Sequence, residues 1–336
     1  MACKHKIVLF MVLIALAGTA YAEKLAVLTD VLKPTSLAVD VERFYVVEEC
    51  TIYIYSMKDF KFLKKFGKAG EGPQEFRRFA IVTPRADDLL INSIGKISFF
   101  TKDGEYQREV KISVISQLFK PLGNLYVGFG GRQGEEDKKF YVTVSIFDEN
   151  LKVVKELFNY ENNIQQQGGI NPVGIRQTLF YVWGNRIFVE DKQRGVVLCF
   201  DETGKELPVI DPKITPRKVT KEDEERYRDF YKNDPRTKND YEMLKSRIKF
   251  PEYFNPIDHM WVTDGRIYIM TFKREGAASE FLIYDTDGKF IKRTMVPFYH
   301  LNVLFRAPTD IKDGKLYQII ENDEEEEWEL HRIPIF

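Results

Sequence analysis

A short strand-like pattern recurs six times along this 336-residue chain, and it limits the fold more than any other feature. Each copy is a turn-type or charged residue, then two apolar residues, then further strand formers. The copies are Arg43-Phe44-Tyr45-Val46-Val47, Asp88-Leu89-Leu90-Ile91, Asn124-Leu125-Tyr126-Val127, Arg186-Ile187-Phe188-Val189, Arg266-Ile267-Tyr268-Ile269 and Lys315-Leu316-Tyr317-Gln318. Anchored on Phe44, Leu89, Leu125, Ile187, Ile267 and Leu316, the spacings are 45, 36, 62, 80 and 49 residues. A second pattern follows most copies: an aromatic, then a turn carrying Asp with Gly or Asn at its end. It is seen at Phe100-Thr101-Lys102-Asp103-Gly104, Phe147-Asp148-Glu149-Asn150, Phe200-Asp201-Glu202-Thr203-Gly204 and Tyr284-Asp285-Thr286-Asp287-Gly288, and more weakly at Tyr55-Ser56-Met57-Lys58-Asp59. Gly and Asn suit such turns because hairpins need a positive φ.

Each unit therefore reads strand, strand, turn, strand, with clear alternation in Thr51-Ile52-Tyr53-Ile54-Tyr55. Units of roughly 40–50 residues with about four strands are the size of propeller blades. The expected fold is all-β, a six-bladed β-propeller of four-stranded blades. No 3.6-residue period runs through these segments, which excludes a helical solenoid. The last unit ends with Trp328-Glu329-Leu330-His331-Arg332-Ile333 and lacks an outer strand, whereas Lys24-Leu25-Ala26-Val27-Leu28 is a spare strand ahead of the first unit. That spare strand is expected to pair with the last blade and close the ring.

One stretch breaks the pattern. From about 215 to 256 the chain becomes charged and helix-forming, which accounts for the 80-residue spacing between blades four and five. Thr220-Lys221-Glu222-Asp223 resembles a capping box. Tyr227, Phe230 and Tyr231 follow at i, i+3, i+4, and Tyr241, Leu244 and Ile248 at i, i+3, i+7. Two short amphipathic helices broken near Asp234-Pro235 are expected, over one end of the ring or against its side.

The first 22 residues read as an address. Lys4, His5 and Lys6 precede an apolar run from Ile7 to Ala17, and Ala20-Tyr21-Ala22 is a small-x-small cleavage signal. The run is short for a bilayer core of ~30 Å. The expected organisation is a signal peptide over 1–22 and a propeller over 23–336, secreted or periplasmic after cleavage near Ala22. No later stretch reads as a stable membrane span, and the expected state is a monomer. The mature chain would hold 48 basic and 51 acidic residues, so nucleic acid is not an expected partner. Cys3 leaves with the signal. Cys50 and Cys199 lie in distant repeats and read as small buried apolar residues, with a disulfide the less favoured alternative.

Phe66-Gly67-Lys68-Ala69-Gly70-Glu71-Gly72-Pro73-Gln74-Glu75-Phe76 resembles the inter-blade signature of NHL-type repeats, roughly F-G-x-x-G-x-G-P-G-E-F. It departs at Gln74, where that family usually has Gly, which implies lost backbone freedom in the turn. The Tyr284–Gly288 turn also resembles secreted bacterial propellers of the NHL and TolB-like type. The resemblance covers the mature chain. It implies the fold and leaves activity open, since such propellers include binding scaffolds and lactonase-like hydrolases.

Catalytic motifs of the elbow, zincin, C-x-x-C and P-loop kinds are absent from the sequence. His259, His300 and His331 have no metal-ligand spacing, although His259 stands beside Asp258 near the insertion. Gly128 to Gly134 reads as a flexible loop, and Glu324 to Glu327 as a solvated hairpin tip. Asp285-Thr286-Asp287-Gly288 begins like a calcium loop, but Val296 stands where the twelfth-position Glu is needed. No cofactor is expected, with calcium the one ion left open. The leading reading is a non-catalytic scaffold that binds a protein partner or small ligand at one ring face. Candidate contacts are Tyr227, Phe230 and Tyr231 of the insertion and Gly70, Gly72 and Pro73 of the turn. Packing of the aromatics on the ring, and a plain blade connector, are the competing readings. The alternative function is a divalent-metal-dependent lactonase-like hydrolase, with Glu48, Asn92, Glu190 and Asp264 as scattered oxygen donors. A weaker third reading is glycan binding by the many aromatic rings.

Overall fold

The computed structural model describes residues 22–112, 118–161, 170–173 and 178–336; the signal peptide expected over 1–22 lies, but for its last residue, outside them. Six four-stranded antiparallel sheets form the blades. From inner to outer strand, blade one is Ser36–Val39, Arg43–Glu48, Thr51–Ser56 and Phe62–Phe66. Blade two is Ile81–Pro84, Asp88–Ser93, Lys96–Thr101 and Tyr106–Lys111, and blade three is Phe119–Leu122, Leu125–Gln133, Phe140–Phe147 and Val153–Glu161. Blade four is Phe180–Trp183, Arg186–Asp191, Val196–Asp201 and Glu206–Ile210, and blade five is Ile257–Thr263, Arg266–Glu275, Ala278–Asp285 and Phe290–Pro297. Blade six takes three strands from the C-terminus, Thr309–Lys312, Lys315–Asn322 and Glu327–Pro334, and its outer strand, Glu23–Val27, from the N-terminus. The ring is closed by the spare strand, in the register Lys24 opposite His331 and Val27 opposite Glu329.

The recurring pattern is the second strand of each blade. Its anchors Phe44, Leu89, Ile187, Ile267 and Leu316 have no exposed surface. Hydrophobic burial is divided among six clusters of described residues, one at each blade interface. Phe66 of blade one packs on Phe100 of blade two at 4.8 Å, and Phe129 of blade three meets Phe180 of blade four at 4.9 Å. Strand faces that each meet another blade explain why the second strands read as continuous apolar runs rather than alternating ones.

The Asp-bearing turn joins the third strand of a blade to the outer one. Asp201 Oδ1 accepts from the backbone N–H of Thr203 and Lys205, both at 2.9 Å, and Asp285 Oδ1 does the same for Asp287 and Lys289. Gly204 and Gly288 then adopt φ of 74° and 86°. In blade three the left-handed residue is Leu151, at φ 59°, and not the expected Asn150. Leu151 is buried in the interface with blade two, which repays its backbone strain with apolar contact.

The insertion follows blade four. Its helix, Lys221–Asn233, starts at the expected capping box: Thr220 Oγ1 accepts from Asp223 N–H at 3.2 Å, and Thr220 N–H donates to the Asp223 carboxylate at 3.1 Å. It stops at Asp234, before Pro235. The second expected helix is only one α-turn, Tyr241–Leu244, between two 3₁₀ turns. Its start has no side-chain cap, and of its apolar triplet only Ile248 is buried, too little to hold a longer helix. Cys50 and Cys199 are buried free thiols in blades one and four. No helix of the described residues is long and apolar enough to cross a membrane.

Candidate ligand-binding cleft at one end of the ring

Antiparallel reversal sorts the loops of a propeller onto two ends. The turns between first and second strands, and between third and outer strands, share one end. Here every one is short, from Gly123-Asn124 to Asp148–Lys152. The blade-to-blade connectors and the turns between second and third strands share the other end. It carries the Gly70–Pro73 loop, the insertion, the 298–308 connector, the hairpin beyond Gln133 and the Glu324–Glu327 tip. We call it the elaborated end.

At this end, the inner strand of blade five presents Asp258, His259 and Trp261. Arg306, from the connector to blade six, donates to Asp258 Oδ1 at 3.0 Å and lies 3.0 Å from His259 Nδ1. The His259 ring meets Trp261 edge-on at 4.2 Å. His259, Trp261 and Arg306, with Phe305, Thr35 and Ser36, line a cavity of about 280 Å³ between blades five, six and one.

A second cleft, of about 410 Å³, opens between the insertion helix and the connector. Arg226, Asp229, Phe230, Asn233 and Asp234 form the helix wall, and His300, Asn302 and Val303 the other. Tyr227 and Tyr231 are buried and do not line the cleft, and Phe230 meets the Tyr231 ring at 5.8 Å and Phe305 at 6.4 Å. His300 Nε2 lies 3.4 Å from the Ser279 hydroxyl of blade five. Burial, with the nearby Arg274, Arg306 and Arg226 guanidinium groups, pushes the His300 imidazole down to about 3, so it is neutral at pH 7. Burial and the Asp258 carboxylate push the Tyr227 phenol up to about 12.

Two more charged groups sit on inner strands at opposite sides of the ring, Lys120 in blade three and Asp310 in blade six. Burial lowers the Lys120 amine to about 8 against the attraction of Asp310, and its Nζ lies 4.5 Å from the centre of the Tyr181 ring. Burial raises the Asp310 carboxyl to about 6, although Val39 N–H and Ile311 N–H donate to it at 2.7 and 2.8 Å.

The four scattered oxygen donors are not brought together. Glu48 accepts from Leu32 and Lys33 N–H and from the Tyr53 hydroxyl. Asn92 is hydrogen-bonded to the Phe119 backbone, Glu190 accepts from Leu179 N–H, and Asp264 from Lys312 and Asp313. Each ties one stretch of chain to another. No group of three or more His, Cys, Asp or Glu among the described residues is placed to hold a metal ion. Gly70, Gly72 and Pro73 lie at the elaborated end in a loop folded on itself, where Gly72 N–H donates to Glu75 Oε2 at 2.8 Å. A Cβ at Gly70 would fall 2.1 Å from that oxygen, so the glycine makes room for the Glu75 side chain. The sequence reading missed Arg226, Arg274 and Arg306, since nothing local distinguishes them from other surface arginines.

Neither a family profile nor a curated protein matches the chain. Among solved structures, a protein of Bacteroides fragilis described as exported is similar over 94% of both chains, at 12% identity and a TM-score of 0.58. A luciferin-regenerating enzyme aligns over 94% of this chain and 95% of its own at 13% identity and a TM-score of 0.48, and BamB of Moraxella catarrhalis over 90% and 73% at 11% and 0.36. Likeness at such identities shows the fold alone.

Proposed function

We propose that this chain is a secreted or periplasmic scaffold of the NHL or TolB-like type that binds a protein partner or a small ligand at the elaborated end. The observation that carries this reading is the sorting of loops: the long segments and both cavities share one end, and among the described residues the strand-to-strand loops at the other end are all tight turns. Phe230 and Phe305 are the contact aromatics on this reading, while Tyr227 and Tyr231 seat the helix on the ring. Signal cleavage after Ala22 is supported by Glu23, the first residue of the closing strand: a cut there leaves that strand whole.

The test is capture from the source organism's cell envelope with the chain from Glu23 onward. Phe230→Ala combined with Phe305→Asp should lose the captured species, and Glu202→Lys at the plain end should keep it. Equal capture by all three, or loss only with Glu202→Lys, would overturn the proposal.

A further inference from the structure

We propose that the cleft between the insertion helix and the 298–308 connector binds an oxyanion, a carboxylate, phosphate or sulfate group, on Arg226 and Arg274. The proposal rests on reading this end as the binding end and names the ligand chemistry of its larger cleft.

The geometry begins with Ser279. It stands opposite Arg274 across the second and third strands of blade five, so both side chains leave the same face of the sheet. The Ser279 hydroxyl meets His300 on that face, which brings the Arg274 guanidinium near the His300 ring, behind the cleft lining. Arg226 reaches it from the helix and lines it beside His300. Both arginines are exposed, and neither forms an ion pair or side-chain hydrogen bond among the described residues. The neighbouring cations differ. Arg306 is held by Asp258, Arg217 by Asp223 at 2.9 Å, and Arg236 by Asp234 at 2.8 Å. Two guanidinium groups thus lie near one concave site without an ion pair of their own, Arg274 with only the longer-range attraction of Asp258, which Arg306 already holds, and an anion relieves their mutual repulsion.

The rest of the cleft suits such a ligand. A guanidinium offers two parallel N–H donors to two oxygens of one anionic group. Asn302 uses its Oδ1 to accept from Leu304 and Phe305 N–H at 2.9 and 3.0 Å, which turns its amide donor outward. The neutral imidazole of His300 can donate without adding charge. Phe230 and Val303 provide apolar wall for the body of the ligand, and about 410 Å³ is within the range of small-molecule sites. Two acids oppose the ligand on that wall: Asp234, which Arg236 already pairs, and Asp229, which has no ion pair among the described residues and is the one the test changes. It sets a sign that a structural role would not show.

The test is calorimetric titration of the chain from Glu23 onward with citrate, inorganic phosphate and sulfate in turn, at ionic strength matched with sodium chloride. The preferred probe identifies the oxyanion. Arg226→Gln and Arg274→Gln should each weaken binding of that probe about tenfold, Asp229→Asn should tighten it, and Lys205→Gln at the plain end should leave it unchanged. Thermal melts check that each variant folds. No binding beyond the chloride control, or equal binding by wild type and both arginine variants, would overturn the proposal. The titration needs no partner from the cell, so failed capture with intact citrate, phosphate or sulfate binding would count against the partner reading alone.

Discussion

The side-chain amide of Asn92 brackets the backbone of Phe119: its Oδ1 accepts the Phe119 N–H at 2.7 Å and its Nδ2 donates to the Phe119 carbonyl at 3.0 Å. Asn92 has no exposed surface, so the second strand of blade two holds the inner strand of blade three by a dry polar clamp. Gln318 does the same for Tyr299, at 2.9 and 3.1 Å. Asn92→Ala leaves a buried N–H and a buried carbonyl unpaired and should cost about 2–4 kcal/mol in urea unfolding. Asn92→Asp keeps the acceptor but sets a second oxygen against the Phe119 carbonyl, and should not rescue it. A loss below about 1 kcal/mol for Asn92→Ala would show that water replaces the amide.

Ring closure carries a pH signature. Despite the desolvation of its burial, hydrogen bonds from Lys24, Asn322 and His331 hold the Glu329 carboxyl down at about 2, against an ordinary 4.5. The Lys24 contact is 2.8 Å and joins the N-terminal strand to the last blade. A depressed folded pKa adds stability above the unfolded value, which is lost as pH falls through the folded one. Glu329→Gln should therefore melt below wild type at pH 6, and the gap should close between about pH 4.5 and pH 2. A gap constant with pH would assign the effect to packing.

Asp310 has the opposite sign. Its folded carboxyl is raised to about 6 from 3.8, so the folded protein holds this proton more tightly than the unfolded chain. The contribution is fully present below about pH 3.8 and is lost as pH rises through about 6. Wild type should gain stability relative to Asp310→Asn as pH falls across that window, measured by melting temperature in matched buffers. A flat difference would mean that Asp310 ionises as it does in the unfolded chain.

Gln74 adopts φ 63° in an exposed turn, the position where the NHL signature has Gly. The left-handed conformation strains a side-chain-bearing residue, and glycine removes that strain while adding unfolded-state entropy. Gln74→Gly should stabilise the protein by about 0.5–1 kcal/mol. An unchanged or lower urea midpoint would show that Gln74 gains as much from its surroundings as its backbone loses.

Much of the ring is legible in the chain because its signals are local. A second strand between two blades must be apolar on both faces, as at Ile187 to Val189, and an Asp-to-Gly turn shows its hydrogen bonds in its spelling. The closing strand is legible because blade six is visibly short of one. The cleft is harder to read. Asp258 and His259 are neighbours, but Arg306 comes 47 residues after His259, and Arg226 and Arg274 belong to an insertion and a hairpin with no shared motif. The oxygen donors Glu48, Asn92 and Glu190 illustrate the converse. A polar residue at the end of a core strand signals that something must be satisfied, and only the packed ring shows that its partner is the chain's own backbone.

The closing strand also imposes an order of events on the newborn chain. Lys24 and Glu329 are 305 residues apart, yet blade six has no outer strand until they meet. The earliest-made strand must wait for the last-made one, with a bare hydrogen-bonding edge on each side of the gap. Loop closure over nearly the whole chain length makes this joining step a late and slow one. A polypeptide cut short before Glu327 would hold five blades and two strands of the sixth in an open arc, prone to pair its loose edges with another molecule.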